Sequence, residues 1–194
     1  MTTREHLLGF DCRVIQHEAQ TAWDPARRER FLLRLDVEQV YSTDRYVWPS
    51  PFAADRSGSW TGLGLWANLD DLRHELNVTS GLPPVAVIAI SVFERPGVAP
   101  PALQPPVQRV TPDAPAPDWS PLGYDVADAG LMSGLSNCGY APHVAARLRT
   151  QWASRLTRHH LIADPSDADA LLAMTERRVA GHAPFFVYRI HQIA

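Results

Sequence analysis

The chain has 194 residues, of which 45% are hydrophobic and 20% are charged, and this composition predicts one globular domain over residues 1–194 with an ordinary core. Its formal net charge is −3, and all 18 lysine-plus-arginine positions are arginine. The lack of lysine excludes Schiff-base chemistry and P-loop phosphate binding. No basic tract is present, so nucleic-acid binding is disfavoured.

The cysteines and the apolar runs indicate a compartment. Cys12 and Cys138 are too few for a disulfide framework, which favours a reducing environment. The N-terminus lacks the pattern of a secretory signal. The longest apolar run, over 83–93, is far shorter than the roughly 20 residues that span a bilayer. We therefore expect a cytoplasmic protein that does not contact the membrane.

Two segments near the start of the chain alternate apolar and polar residues. Residues 7–17 and 30–41 follow this period of two, which is typical of half-buried strands. Residues 42–67 follow as a long loop. Its aromatic residues include Tyr46, Trp48, Trp60 and Trp66. Long loops in compact domains are often functional, so this aromatic loop either contacts a ligand or protein, or wraps the sheet and completes a small core.

The middle of the chain predicts a short helix, a central strand and an irregular connection. Asn68 is the expected N-cap, and Asp70 and Asp71 occupy the first helical turn, where the helix dipole favours carboxylates. Residues 84–93 are continuously apolar and rich in β-branched side chains, as in a strand covered on both faces. The proline-rich connection at 96–121 cannot form a helix or a central strand.

The last part of the chain predicts two strands and two helices. A glycine-rich segment over 119–140 contains a short predicted strand at 122–126. Apolar spacing then predicts helices over 142–157 and 166–180, and a terminal strand over 184–193. The expected fold is α+β: a mixed or antiparallel sheet of about five strands with two C-terminal helices packed on one face.

The glycine-rich segment combines residue types that act in nucleophilic catalysis. Cys138 precedes the helix predicted from residue 142, and a helix N-terminus lowers a thiol pKa. His143 could act as the base and Asp125 or Asp128 as its orienting group, as in a small cysteine-dependent hydrolase or transferase. The structural alternative is that Cys138 is a small buried residue and that Asp125 or Asp128 caps a turn.

Histidines near the C-terminus raise the question of a metal site. His159 and His160 are adjacent, and adjacent side chains on a helix point about 100° apart, so such a pair rarely binds one ion. The sequence contains no Cys-x-x-Cys and no His-x-x-x-His spacing. We expect no metal and no cofactor.

Several motifs within residues 119–193 resemble a class of bacterial proteins. They are LGYDVAD with SGLSNCGY, the HHL that follows a tryptophan-bearing helix, and the terminal HAPFFVYRI. This combination resembles immunity and antitoxin proteins of polymorphic and contact-delivered toxin systems. The resemblance implies a cytoplasmic inhibitor that occludes a toxin surface, and it implies no catalytic residues.

The leading hypothesis is a non-enzymatic protein that binds a protein partner, with a basic toxin domain as the expected type. The first half of the chain supports this, since residues 1–97 contain 10 arginines and 13 acidic residues. The expected partner-binding residues are Tyr46, Trp48, Trp60, Trp66, Asp70 and Asp71. The Cys138 enzyme and a small-molecule-binding regulator that uses the aromatic loop are the alternatives.

Overall fold

A computed structural model describes residues 4–15, 41–45, 47–52, 63–99, 101, 118–135 and 140–194. These residues form an α+β structure. Its strands are β1 (Glu5–Val14), β2 (Val85–Phe93), β3 (Trp119–Asp128) and β4 (Phe185–Ile193). Its helices are α1 (Leu69–Val78), α2 (Pro142–Trp152) and α3 (Pro165–Arg178). Short 3₁₀ turns follow α2 and α3 at Ala153–Arg155 and Ala180–His182.

The four strands form one antiparallel sheet in the order β1-β2-β4-β3. The predicted α+β class with an antiparallel sheet is therefore confirmed. The apolar segment predicted over 84–93 becomes the central strand β2, and the terminal segment becomes the central strand β4. Central strands are covered on both faces, which explains why these two sequences are apolar with little alternation.

The strand count and the start of β3 differ from the prediction. The described residues contain four strands rather than about five, and most of the segment predicted over 30–41 lies outside them. The connection predicted over 96–121 ends earlier than expected, because β3 begins at Trp119 and includes Pro121. The exclusion of a central strand is not contradicted, since β3 lies at the edge of the sheet. Proline is tolerated there because β3 is an edge strand and has a bulge directly after Pro121.

Both edge strands bulge at the same row of the sheet. Gly9 on β1 pairs with Ile90, Gly123 on β3 pairs with Ile190, and Ile90 and Ile190 pair with each other. The φ angles of Gly9 and Gly123 are +154° and +144°, which residues with a Cβ rarely adopt. Glycine is therefore required at both bulges.

The bulges bring another backbone segment close to each edge. Trp66 pairs with β1 and Ile162 pairs with β3 through isolated bridges. A Cβ on Gly9 would lie 2.6 Å from the Trp66 carbonyl oxygen, and a Cβ on Gly123 would lie 2.7 Å from the Cβ of Leu161. These bridges cover part of each edge, which protects the sheet against edge-to-edge association.

The helices lie on one face of the sheet. Leu72 of α1 packs against the β1 side, and Leu148 of α2 and Leu171 of α3 pack with residues of β3 and β4. The opposite face is covered by irregular segments that include Tyr41 and Leu131.

Two helical boundaries differ from the prediction. The helix predicted over 142–157 ends at Trp152, because Leu156 turns into an extended conformation and pairs with Ile162. The helix predicted over 166–180 runs over Pro165–Arg178. The short helix predicted after the N-cap Asn68 is confirmed as α1. None of the helices in the described ranges has the length and apolar character that crossing a bilayer requires.

Candidate functional site

Two tryptophans of the aromatic loop lie in the core. Trp48 is 3% exposed, stacks on Tyr41 at a centroid distance of 4.0 Å and donates its indole N–H to the Val14 carbonyl. Trp66 is 5% exposed and packs edge-on against Phe52. For these two residues the structure corresponds to the second alternative, in which the loop completes a core, because their ring faces are covered by protein.

The other expected partner-binding residues divide into two groups. Tyr46 and Trp60 lie outside the described residues. Asp70 and Asp71 are exposed in the first turn of α1, where the Asn68 side chain accepts a hydrogen bond from the Asp70 amide at 2.8 Å. The two carboxylates therefore face solvent on a capped helix, in the position that the sequence predicted.

Asp125 is fully buried on the face of the sheet opposite the helices, where several donors surround it. One carboxylate oxygen accepts from the Thr43 amide at 2.9 Å and from the Ser42 hydroxyl at 3.1 Å. The other accepts from the Ser133 hydroxyl at 2.6 Å and from the Val126 amide at 2.8 Å. Burial raises the pKa of Asp125, and these hydrogen bonds oppose that rise.

This environment gives Asp125 a structural role rather than the predicted orienting role. Its hydrogen-bond donors come from residues 42–43, 126 and 133, and His143 is not among them. His143 is exposed at the start of α2, and Cys138 lies outside the described residues. The turn-capping residue is Asp128, whose carboxylate accepts from the amides of Gly130 and Met132.

A second buried polar cluster joins β1 to the aromatic loop. The Asp11 carboxylate lies 2.9 Å from the Arg13 Nε and accepts a 2.9 Å hydrogen bond from the Arg45 Nε. Arg13 is fully buried and donates to the carbonyls of Trp48 and Thr43. The guanidinium groups of Arg13 and Arg45 thus pair with the same Asp11 carboxylate, and backbone carbonyl oxygens accept further hydrogen bonds from Arg13.

Sequence reasoning missed this cluster, although β1 contains a signal for it. Asp11 and Arg13 are two residues apart, so they point to the same face of the strand. Their partners on the central strand β2 are the apolar Ile88 and Ala86. Opposite charges at such spacing opposite apolar positions indicate a buried ion pair.

The described cysteine and histidines do not form a reactive or metal-binding centre. Cys12 is fully buried, and burial together with the adjacent Asp11 raises the pKa of its thiol to about 12. His159 stacks on Tyr41, and burial lowers its pKa. Among the residues with described positions, no group of three or more His, Cys, Asp or Glu could hold a metal ion.

A row of polar side chains crosses the helix-bearing face of the sheet. Arg189 lies 5.1 Å from the ring centres of both Phe93 and Tyr124. Its guanidinium donates to Glu5 at 2.8 Å and to the Tyr124 hydroxyl at 2.7 Å. This cation is neutralised by Glu5 and enclosed by rings, so it links the first and last strands.

Next to this row, a cleft of about 170 Å³ opens between α3 and the end of β2. Its apolar lining includes Phe93, Leu172 and Val187. Arg95 at its edge is held by both carboxylate oxygens of Glu176, one of them at 2.8 Å, and it also donates to the Phe185 carbonyl.

Comparisons of the chain with protein-family models, with curated proteins and with solved structures give no match.

Proposed function

We propose that this protein is a non-enzymatic, cytoplasmic binding protein of the immunity type, which neutralises a cognate bacterial toxin by covering part of its surface. The observation that carries the proposal is the pair of exposed carboxylates, Asp70 and Asp71, on α1. No ion pair engages either side chain within the described part of the chain. The resemblance of the C-terminal motifs to immunity proteins supports the same class.

The way in which α1 is anchored to the sheet supports a binding role for Asp70 and Asp71 in its first turn. Leu72 is fully buried against the β1 side of the sheet, and Asn68 caps the helix. The two carboxylates are therefore displayed on an anchored element, so little conformational entropy is lost when a partner binds. Exposed charges of this kind accelerate association with an oppositely charged partner and make it dependent on salt.

The burial of Trp48 and Trp66 changes the expected mechanism. Buried rings cannot serve as interface anchors without local opening, so acidic side chains carry the proposed contact. For the rival enzyme hypothesis Asp128 is the remaining candidate for the orienting group, since Asp125 accepts hydrogen bonds from Ser42, Thr43 and Ser133.

The test is capture of the partner by the tagged full chain from a lysate of its native host. We expect to capture the product of a neighbouring gene, whose expression alone stops growth and whose toxicity is relieved by coexpression with this chain. The double variant Asp70→Asn/Asp71→Asn should slow association about threefold to tenfold at low salt, and less at 0.5 M salt. Asp118→Asn, which removes an exposed carboxylate elsewhere, is the matched control.

Two results would contradict the proposal. One is a chain that recovers no growth-inhibiting protein. The other is a partner whose association rate responds equally to the double variant and to the control.

A further inference from the structure

We propose that the cleft between α3 and the end of β2 accepts one long basic side chain, an arginine or a lysine, of the partner protein. The inference rests on the proposed function, because it specifies how a basic partner is anchored. The cleft is separate from the acidic turn of α1, so it forms a second contact.

The size of the cleft limits its occupant. A volume of about 170 Å³ is well below the roughly 300–1,000 Å³ of sites that hold drug-sized ligands and cofactors. A single side chain inserted from another protein fits this volume. Interface anchors are commonly of this kind, with one residue filling one pocket.

The lining of the cleft matches the stem of a basic side chain. Phe93 and Leu172 are half-buried and Val187 is buried, so the floor is apolar and only partly covered by the protein itself. Arginine and lysine cover such surface with their methylene groups while their charged heads stay near water.

The charges at the rim select a cation. Glu94 and Asp169 both line the cleft and both are exposed. One carboxylate oxygen of Glu94 lies 2.6 Å from the His6 Nε2. Asp169 has no ion pair among the described residues. Arg95 does not offset these charges, because Glu176 neutralises it through a two-pronged contact. The two rim carboxylates would repel an anionic side chain and would give a purely apolar one no electrostatic attraction.

The experiment titrates the full-length protein with N-acetyl-L-arginine amide and follows backbone amide signals by NMR. The uncharged isostere N-acetyl-L-citrulline amide is the comparison probe. We expect saturable shifts around Phe93 and Leu172 with the arginine probe, and binding at least fivefold weaker with citrulline. Glu94→Gln/Asp169→Asn should weaken arginine binding about threefold to tenfold, whereas Asp118→Asn should leave it unchanged.

The inference is overturned if the arginine probe gives no saturable shift at the cleft or if citrulline binds equally well. It is also overturned if the rim variant, Glu94→Gln/Asp169→Asn, binds the arginine probe as well as the wild type does. An intact amide spectrum shows that the rim variant is folded. These outcomes are separable from those of the proposed function. A partner that is captured equally well by the rim variant preserves the proposed function and contradicts the cleft contact, and failure to capture any toxin leaves the arginine titration to decide the cleft by itself.

Discussion

At the scale of single residues, the buried polar groups determine how the irregular segments attach to the sheet. One carboxylate oxygen of Asp125 accepts hydrogen bonds from Ser42 and Thr43, and the other accepts one from Ser133. Because a carboxylate can accept several hydrogen bonds at once, one side chain joins two loops to β3. A side chain of this kind is sensitive both to substitution and to pH.

Asp125→Asn tests this role. The amide has two N–H donors where a protonated carboxyl has one O–H, and the groups around this side chain are themselves donors, so we expect a loss of about 1–3 kcal/mol in the free energy of unfolding at pH 4. Burial raises the pKa of Asp125 above that of the unfolded chain, so its contribution is present below the unfolded pKa and is lost as pH rises through the folded pKa. Urea denaturation from pH 4 to 8 should show the difference between wild type and variant shrinking. A difference that grows with pH would contradict this assignment.

The bulge at Gly123 is a second residue-scale determinant. A Cβ there would lie 2.7 Å from Leu161 and 2.9 Å from the Ile162 carbonyl oxygen, and φ is +144°. Gly123→Ala should therefore lower the free energy of unfolding by about 2–4 kcal/mol, through backbone strain and overpacking. Gly181→Ala is the control, because nothing lies near its added Cβ, and it should change stability by less than about 0.5 kcal/mol. Equal melting temperatures for the two variants would show that the close approach is not required.

At the scale of elements, α3 is fastened to the sheet by polar contacts as well as by its apolar stripe. The Glu176 carboxylate accepts hydrogen bonds from both terminal guanidinium nitrogens of Arg95. It also accepts one from the Phe185 amide at 3.1 Å. Arg95 follows the end of β2 and Phe185 begins β4, so one carboxylate connects a helix with two central strands. The hydrogen bond from Arg95 lowers the pKa of Glu176.

Glu176→Gln should destabilise the protein by about 1 kcal/mol at pH 7, since the pair is partly exposed and worth less than a buried one. The folded-state pKa is depressed, so this stabilisation is present above the unfolded pKa and is lost as pH falls through the folded value. Thermal unfolding at pH 7 and pH 3 should show that the variant and the wild type converge in acid. Asp169→Asn on the same helix is the control and should shift stability by no more than about 0.5 kcal/mol at either pH. A difference that persists at pH 3 would argue against the ion pair.

At the scale of the whole molecule, contacts between distant parts of the chain close the fold. β1 and β4 come from opposite ends of the sequence, and the hydrogen bond between Glu5 and Arg189 joins them across the sheet. Cys12 lies beneath α1 within this assembly and is completely covered. Its thiol is therefore a probe of global opening rather than of local motion.

In the variant Cys138→Ser, Cys12 is the only thiol left. Iodoacetamide should not label it in the native state at pH 8, because the thiol is inaccessible and its pKa is raised to about 12. In urea, the labelling rate should rise in step with the unfolded fraction measured by fluorescence. Rapid native labelling would contradict the assigned burial.

In the converse variant Cys12→Ala, Cys138 is the only cysteine left. Rapid native labelling of Cys138 with a depressed pKa would favour the enzyme alternative over the binding proposal.

The sequence by itself determined features that depend on neighbouring residues. The apolar run at 84–93 and the terminal run predicted β2 and β4, and helical spacing with Asn68 as cap predicted the helices. The start of β3 was missed, because proline argues against a strand unless the strand is known to lie at an edge. Residues 30–40 of the strand predicted over 30–41, together with Tyr46, Trp60 and Cys138, lie outside the described residues, and those assignments stay predictions.

Only the tertiary structure decided which polar and aromatic residues are buried. Trp48 and Asp125 belong to sequence patterns that are equally compatible with an exposed interface or an active site. Their burial depends on partners far along the chain, such as Ser42, which is 83 residues from Asp125. Periodicity reports the direction of a side chain relative to its own element, whereas burial requires knowing which other segment covers that face.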